Sequence, residues 1–215
     1  MVCNPSGKGN SERIQEIQIK EWMMKVLLYM TFSVLLLSQA VADDKSAAEE
    51  FLKSNLDAVF TVLQKKDLSQ QAKNSKIEEI VTPMFDFELM AKLSLGKKYW
   101  PDLSPQQKDR FTELFVERLR QSYLNKLTAY TDEKVVYEAP VENNKKVHMP
   151  TQLISKGNKI SMLYKLYPSS NNWKIYDIEI QGVSIIRSYR SQFNELLQKG
   201  TFDELLQKMQ EPANN

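Results

Sequence analysis

The chain has 215 residues, with 29 Lys+Arg against 27 Asp+Glu, one His and one Cys, for a formal net charge of +2. So even a balance argues against nucleic-acid binding by bulk charge. With Cys3 and His148 each the sole residue of its type, a disulfide framework is excluded and a transition-metal site would have to rest on carboxylates.

Lys25 precedes an apolar run over residues 26–37, which ends in Ala40, Val41 and Ala42. A basic n-region, a short apolar core and a small-x-small end are the parts of a secretory signal peptide. The core is shorter than the ~20 apolar residues a membrane span needs. The expectation is a signal peptide over residues 23–42, cleaved after Ala42, with Met23 or Met24 as the start and residues 1–22 as a mis-called N-terminal extension. Cys3 falls in that extension, so the exported chain carries no thiol and no lipoprotein cysteine. Residues 43–210 are read as one domain, made of a helical lobe (43–131) and a sheet with C-terminal helices (132–210), and 211–215 as a tail.

Three capping boxes predict helix starts: Ser46 with Glu49, Ser75 with Glu78, and Ser104 with Gln107, the last with Pro105 at the first helical position. The first helix buries Leu52, Leu56, Val59 and Leu63. The second carries Ile77, Ile80 and Val81 and ends before Pro83. Asp86 caps a third helix that Gly96 closes. The fourth is predicted over 105–130, with Phe111, Leu114, Phe115, Leu119, Tyr123, Leu127 and Tyr130 on one face; at ~1.5 Å per residue it spans ~39 Å.

Beyond Thr131 the period changes to alternation. Strands are predicted over 135–139, 145–155, 159–167 and 173–180, separated by turns at 142–144, 156–158 and 168–172. Short connections imply an antiparallel sheet. Pro150 points to an edge or a bulge. On the last strand Tyr176, Ile178 and Ile180 share one face, and Asp177 and Glu179 the other. Gly182 breaks that strand, a helix follows to Gly200, and Thr201 with Glu204 opens another. The fold class is α+β: N-terminal helices, a curved antiparallel sheet of four to five strands, and C-terminal helices covering one sheet face.

The inventory for catalysis is thin. His148 stands on a strand with no serine or acid at catalytic spacing. Gly182-Val183-Ser184 has Ile186 where a nucleophile elbow needs its second glycine. Asp177 and Glu179, at i and i+2, fit a solvated or salt-bridged face better than an acid/base pair. What the chain has in excess is soft apolar surface: Tyr99, Trp100, Phe115, Leu119 and Tyr123 from the helices, Met149, Met162, Tyr164, Leu166, Ile178 and Ile180 from the sheet. Such a set fits an ordinary core, an exposed adaptor groove or a pocket for variable acyl chains. A compact-ligand receptor or enzyme using Asp177, Glu179 and His148 also stays open.

Two motifs carry a resemblance. Trp173-Lys174, Tyr176-Asp177 and Gly182-Val183-Ser184, followed by Tyr189-Arg190 and Gln192-Phe193, form the first. Phe85-Asp86-Phe87, Met90-Ala91, Leu95-Gly96 and Trp100 form the second. Together they resemble the periplasmic phospholipid-carrier family of the MlaC and toluene-tolerance (Ttg2-type) proteins, over nearly all of residues 43–209. The resemblance implies a periplasmic monomer, not an enzyme, without cofactor, that holds a glycerophospholipid as cargo in an apolar cavity. It further implies exchange between an outer-membrane lipoprotein complex and the substrate-binding component of an inner-membrane ABC transporter, maintaining outer-membrane asymmetry. The lipid-binding set is then the eleven residues above with Val183 and Tyr189, and Lys97, Lys98, Lys145 or Lys146 would attract the headgroup. At ~0.8 kcal/mol per CH₂, two tails of about 30 carbons expose ~24 kcal/mol to water, so a carrier must cover most of both.

Overall fold

The computed structural model describes residues 44–124, 134–155, 157–170 and 172–211. The expected extension over residues 1–22, the export signal with its cleavage point after Ala42, and the outer end of the long helix with Leu127 and Tyr130 lie outside these residues. Among the described residues no helix is long and apolar enough to cross a membrane.

Two helices start earlier than their capping boxes suggest. α1 (Asp44–Leu63) already contains Ser46, and α2 (Gln70–Val81) contains Ser75. In α2 the cap is Ser69, whose hydroxyl accepts from the Ala72 amide at 3.2 Å. Gln70, Gln71 and Ala72 are good helix formers, so nothing delays the helix to Ser75. In α1, Asp44 sets a carboxylate against the positive end of the helix, and Ala47 and Ala48 favour helix through Ser46. Pro83 stops α2 as expected, with a 3₁₀ turn over Thr82–Met84. Asp86 caps α3 (Phe87–Leu95), accepting from Leu89 N at 2.9 Å, and Gly96 closes it with φ +86°. The Ser104/Gln107 box opens α4 (Pro105–Leu119), which then widens into a π-helical turn over Arg120–Leu124.

Among the described residues the sheet has six strands: β1 (Lys134–Tyr137), β2 (Val141–Asn143), β3 (Lys146–Ser155), β4 (Asn158–Ser169), β5 (Asn172–Ile180) and β6 (Val183–Ser184). All pairs are antiparallel in the order β1-β3-β4-β5-β6, with β2 also on β3. The four predicted runs give an expected four to five strands, and the two additional strands, β2 and β6, come from tight hairpins. Asn144 and Lys145 (φ 51° and 62°) and Gln181 and Gly182 (φ 52° and 78°) both adopt the left-handed pair a two-residue turn needs. Glu142 and Asn143, expected in a turn, therefore belong to β2, and Pro168 and Ser169 likewise lie within β4.

Pro150 lies on no edge, but it does lie opposite a bulge-like irregularity: Tyr137 pairs with Thr151 and Val141 with His148, so three residues between β1 and β2 face two of β3. β3 is an interior strand, and Pro150 falls at the break between its neighbours β1 and β2, where its carbonyl accepts from Glu138 N at 3.0 Å. Its nitrogen faces the same side, so the bond that proline forgoes is the return bond to Glu138 at the end of the β1 pairing, and the pairing with β4 on the other side is untouched. A second bulge lies on β5. Lys165 pairs with Asp177 but Leu166 with Ile175, leaving Tyr176 as an extra residue. This corrects the expected face: Tyr176 sits beside Asp177 on the outer side, where it meets His148 and Tyr167. Trp173 and Ile175 before the bulge and Ile178 and Ile180 after it all face inward.

α5 (Ile185–Lys199) and α6 (Phe202–Gln210) complete the helical layer, α6 with the predicted Thr201/Glu204 box. Phe111, Phe115, Tyr189 and Phe193 form an aromatic knot between α4 and α5, with Trp100 and Phe202 against Phe111. Cations lock the helix ends. Arg190 Nε donates to Leu93 O at 2.8 Å, Arg118 Nε to Met209 O at 3.2 Å and Lys73 Nζ to Leu63 O at 2.7 Å, each at the negative end of a neighbouring helix. Asp86 N donates to Ile175 O at 3.0 Å, which docks the α2–α3 junction on β5.

Candidate functional site

The helices do not touch the whole inner face of the sheet. Near Val147, Leu166, Trp173 and Ile175 they pack in a closed core. Toward Val135, Leu153, Ile160, Met162 and Ile180 the layers separate, and α1, α2 and the end of α4 enclose a cavity of about 440 Å³. That volume lies within the ~300–1,000 Å³ usual for ligand pockets. Its deep wall is Met84, Met90, Tyr164 and Ile175, all buried. Leu56, Val59, Phe60 and Leu63 of α1 line the opposite side.

The chemistry of this wall is almost wholly apolar. Among the described residues that line it, Glu78 and Arg120 alone are charged, and both are partly exposed, so they mark where the cavity meets water. Thr82, Thr151, Tyr123 and Tyr164 add hydroxyls. Burial pushes the Tyr123 and Tyr164 phenols up, so both stay neutral at physiological pH. Among the described residues that line it there is no serine, cysteine, histidine or lysine. It is suited to hold hydrocarbon, and Met162, Met84 and Met90 let it adapt to tails of different shape.

Of the thirteen residues read from the sequence as lipid-binding, the structure brings six to the cavity: Leu119, Tyr123, Met162, Tyr164, Ile178 and Ile180. Trp100, Phe115, Met149, Leu166 and Tyr189 are buried in the closed core, outside the lining. Tyr99 is half-buried under Lys98, and Val183 is exposed at the β5–β6 turn. Sequence type separates none of these groups, because a core and a cavity wall use the same residues. α1 and α2 supply lining that the set omits, although the periodicity of α1 already marks Leu56, Val59 and Leu63 as inward-facing. The four lysines proposed for the headgroup do not line the cavity. Lys98 sits over Tyr99 and Lys146 over Tyr176, on their own local rings.

Truncation should distinguish wall from core. Leu166→Ala opens a void in close packing and is expected to cost about 3 kcal/mol, whereas Met162→Ala only enlarges an existing space and should cost about 1 kcal/mol. Urea titration of both variants checks this, and equal losses would contradict the division drawn above.

The outer sheet face carries the other candidate cluster. Asp177 is buried and accepts from Ser184 Oγ at 2.8 Å, Lys165 Nζ at 3.0 Å and Ile186 N at 3.2 Å. Lys165 also donates to Glu179 at 2.5 Å, and Arg187 reaches Glu179 at 3.1 Å. His148 stands 3.4 Å from the Tyr176 hydroxyl. With its lone pairs occupied by the β5–α5 junction, Asp177 is not placed to exchange a proton with a substrate. Desolvation, helped by Lys165 and Lys146, lowers the His148 pKa, against the weaker pull of Glu179 and Asp177. The Lys165 hydrogen bond holds Glu179 below the ordinary carboxylate range.

Both depressed values have the same sign in linkage. Protons prefer the unfolded chain, so stability present above the unfolded pKa is lost as pH falls, first through the His148 window below ~6.5, then below ~4.5 through Glu179. The stability difference between pH 7.5 and 5.5 should shrink in His148→Asn. An unchanged difference in urea midpoints would assign the loss to other groups.

The family model described as MlaC protein matches residues 53–211. The chain belongs to the MlaC family. It is 25% identical over 207 residues to the intermembrane phospholipid transport system binding protein MlaC of Haemophilus influenzae, covering 92% of this chain and 95% of that one. It is 24% identical over 162 residues to the toluene tolerance protein ttg2D of Pseudomonas putida, covering 74% and 69%. The solved structure of a phospholipid-binding protein from Ralstonia solanacearum, in complex with a phospholipid, shares the fold with a TM-score of 0.68 and 23% identity, over 78% of this chain and 95% of that one.

Within the MlaC match, the block from Trp173 to Ser184 now has a physical reading. Lys174 Nζ donates to Pro83 O at 2.5 Å, Tyr176 makes the bulge, Gly182 the turn, and Ser184 caps α5 by accepting from Arg187 N at 3.1 Å. The motif residues build a clasp from strand to helix. The side chains between them, Ile175, Ile178 and Ile180, are the ones that reach the cavity.

Proposed function

We propose that the protein is a periplasmic phospholipid carrier, binding glycerophospholipid tails between the inner sheet face and α1, α2 and α4. It passes lipid between an outer-membrane lipoprotein complex and the substrate-binding component of an inner-membrane ABC transporter, and so maintains outer-membrane asymmetry. The observation that carries this reading is the apolar cavity of about 440 Å³ with its charges confined to the rim. Membership of the MlaC family supports it, as do the phospholipid transport named for the Haemophilus relative and the phospholipid bound to the Ralstonia protein. A carrier needs to cover tails and release them, and a dry wall without catalytic groups does both. Residues 23–42 act as its export signal, and it works without a cofactor.

Native mass spectrometry with lipid extraction tests the proposal on protein recovered from a bacterial periplasm after expression of the full chain. The expected result is co-purifying phospholipid at near one-to-one stoichiometry. A folded, lipid-free protein that also takes up no lipid from detergent micelles would overturn it.

A further inference from the structure

The ion pair at the cavity rim has an arrangement that plain solubilising charge does not need. Arg120 lies on the π-helical turn that ends α4, and a π turn shifts side chains away from the regular helical stripe. Its guanidinium meets Glu78 of α2 and, at 3.1 Å, Glu117 one turn back. Glu117 is held in turn by Gln121 Nε2 at 3.0 Å. Arg120 and Glu78 come from helices distant in sequence and line the same cavity, whereas Glu117 does not. Two other cations of these elements are directed elsewhere: Lys73 to the end of α1, and Lys53 over the Tyr137 ring.

From this geometry we infer that Arg120 and Glu78 form a reading site for a zwitterionic headgroup, Arg120 taking the lipid phosphate and Glu78 the ammonium. This rests on the carrier reading above. A guanidinium offers a planar fork of donors that matches phosphate oxygens. While both carboxylates hold Arg120, the rim has a surplus negative charge that repels a phosphodiester. Swinging Glu78 aside removes the repulsion but leaves its carboxylate without a partner. An ethanolamine headgroup supplies that partner on the same molecule, since its ammonium sits one ethylene bridge from the phosphate. One internal ion pair is exchanged for two intermolecular ones, with no charge left alone. A glycerol headgroup lacks the ammonium and leaves Glu78 unpaired. A diacylglycerol lacks both charges and leaves the resting pair intact, gaining nothing at the rim.

Both side chains are partly exposed, at 40% and 39%, so the pair provides selectivity and not the bulk of the affinity. Pairs of this kind are worth about a fivefold preference each. The test uses the full-chain product, delipidated and offered an equimolar detergent mixture of dioleoyl phosphatidylethanolamine, phosphatidylglycerol and dioleoylglycerol, read by native mass spectrometry. Wild type is expected to load phosphatidylethanolamine over phosphatidylglycerol by about fivefold, with dioleoylglycerol lowest. Arg120→Gln should bring dioleoylglycerol up to the level of the phospholipids. Glu78→Gln should raise phosphatidylglycerol to the level of phosphatidylethanolamine, each outcome being read from the ratio of the three lipids. Wild-type ratios in both variants would overturn the headgroup site while leaving the carrier intact. Failure of wild type to load any of the three would overturn the carrier reading itself.

Discussion

Asp177→Ala is expected to lower the unfolding free energy by about 3 kcal/mol and to leave the lipid load of the folded protein unchanged. The carboxylate is buried, and three donors converge on it from β4, β6 and the first turn of α5. Removing it leaves the Ile186 amide without an acceptor at a buried helix start, which alone costs 1–3 kcal/mol on the usual scale. Lys165 keeps Glu179, and the Ser184 hydroxyl still accepts from Arg187 N, so the loss stays at the low end of the range for a broken buried pair. Asp177→Asn retains one acceptor oxygen and should lose roughly half as much. Urea midpoints and lipid content measured on the same preparations check both halves. A variant with wild-type midpoint, or one that is stable yet lipid-free, would contradict the assignment of Asp177 to the strand–helix clasp.

That assignment illustrates what sequence type and spacing reveal in this chain. Helix limits that depend on one side chain and one amide are visible in the residues: Asp86, Ser104 and Thr201 cap where their chemistry says they should. Ser46 and Ser75 misled because a capping box is a local option, and Ser69 in one case and the helix-favouring run after Asp44 in the other offered an earlier start. The bulge at Tyr176 could not be read from alternation, since an inserted residue changes which neighbour faces inward without changing the composition of the strand. Trp173 and Ile175 before it, and Ile178 and Ile180 after it, look out of phase in the sequence but share one surface in the fold.

The site was legible only by type. Met162, Tyr164, Ile178 and Ile180 alternate on paired strands and face inward, as periodicity requires, yet so do Met149 and Leu166. What separates them is whether a helix lies directly above. Over Leu166 the aromatic knot of α4 and α5 draws the helical layer down, while over Met162 the π turn and the α1–α2 pair hold it off. That difference is tertiary, and no single-chain pattern encodes it. Arg120 was missed for a related reason: on an ideal helix it is one more exposed cation, and only the π turn and Glu78 of α2 bring it to the rim.

Ile180→Asp tests the cavity most directly. Ile180 is partly exposed, lines the cavity and pairs with Met162 at the end of β5, so a carboxylate there is hydrated while the space holds water. The apo fold should lose only about 1 kcal/mol. Lipid changes the account, because tails that displace the water leave an ionised carboxylate against hydrocarbon, at a cost of several kcal/mol. Each 1.4 kcal/mol is about tenfold in affinity, so phospholipid content per protein should fall by at least a hundredfold. Lowering the pH should restore part of the load, since the neutral carboxyl tolerates an apolar wall and burial raises the pH at which it protonates. Leu166→Asp offers no such test: Leu166 is fully buried in the closed core, and its replacement should unfold the chain. Full phospholipid content in a folded Ile180→Asp protein at neutral pH would show that tails lie elsewhere, whereas loss of lipid with recovery in acid, together with a normal load in Ile180→Leu, would place them against the inner face of β5.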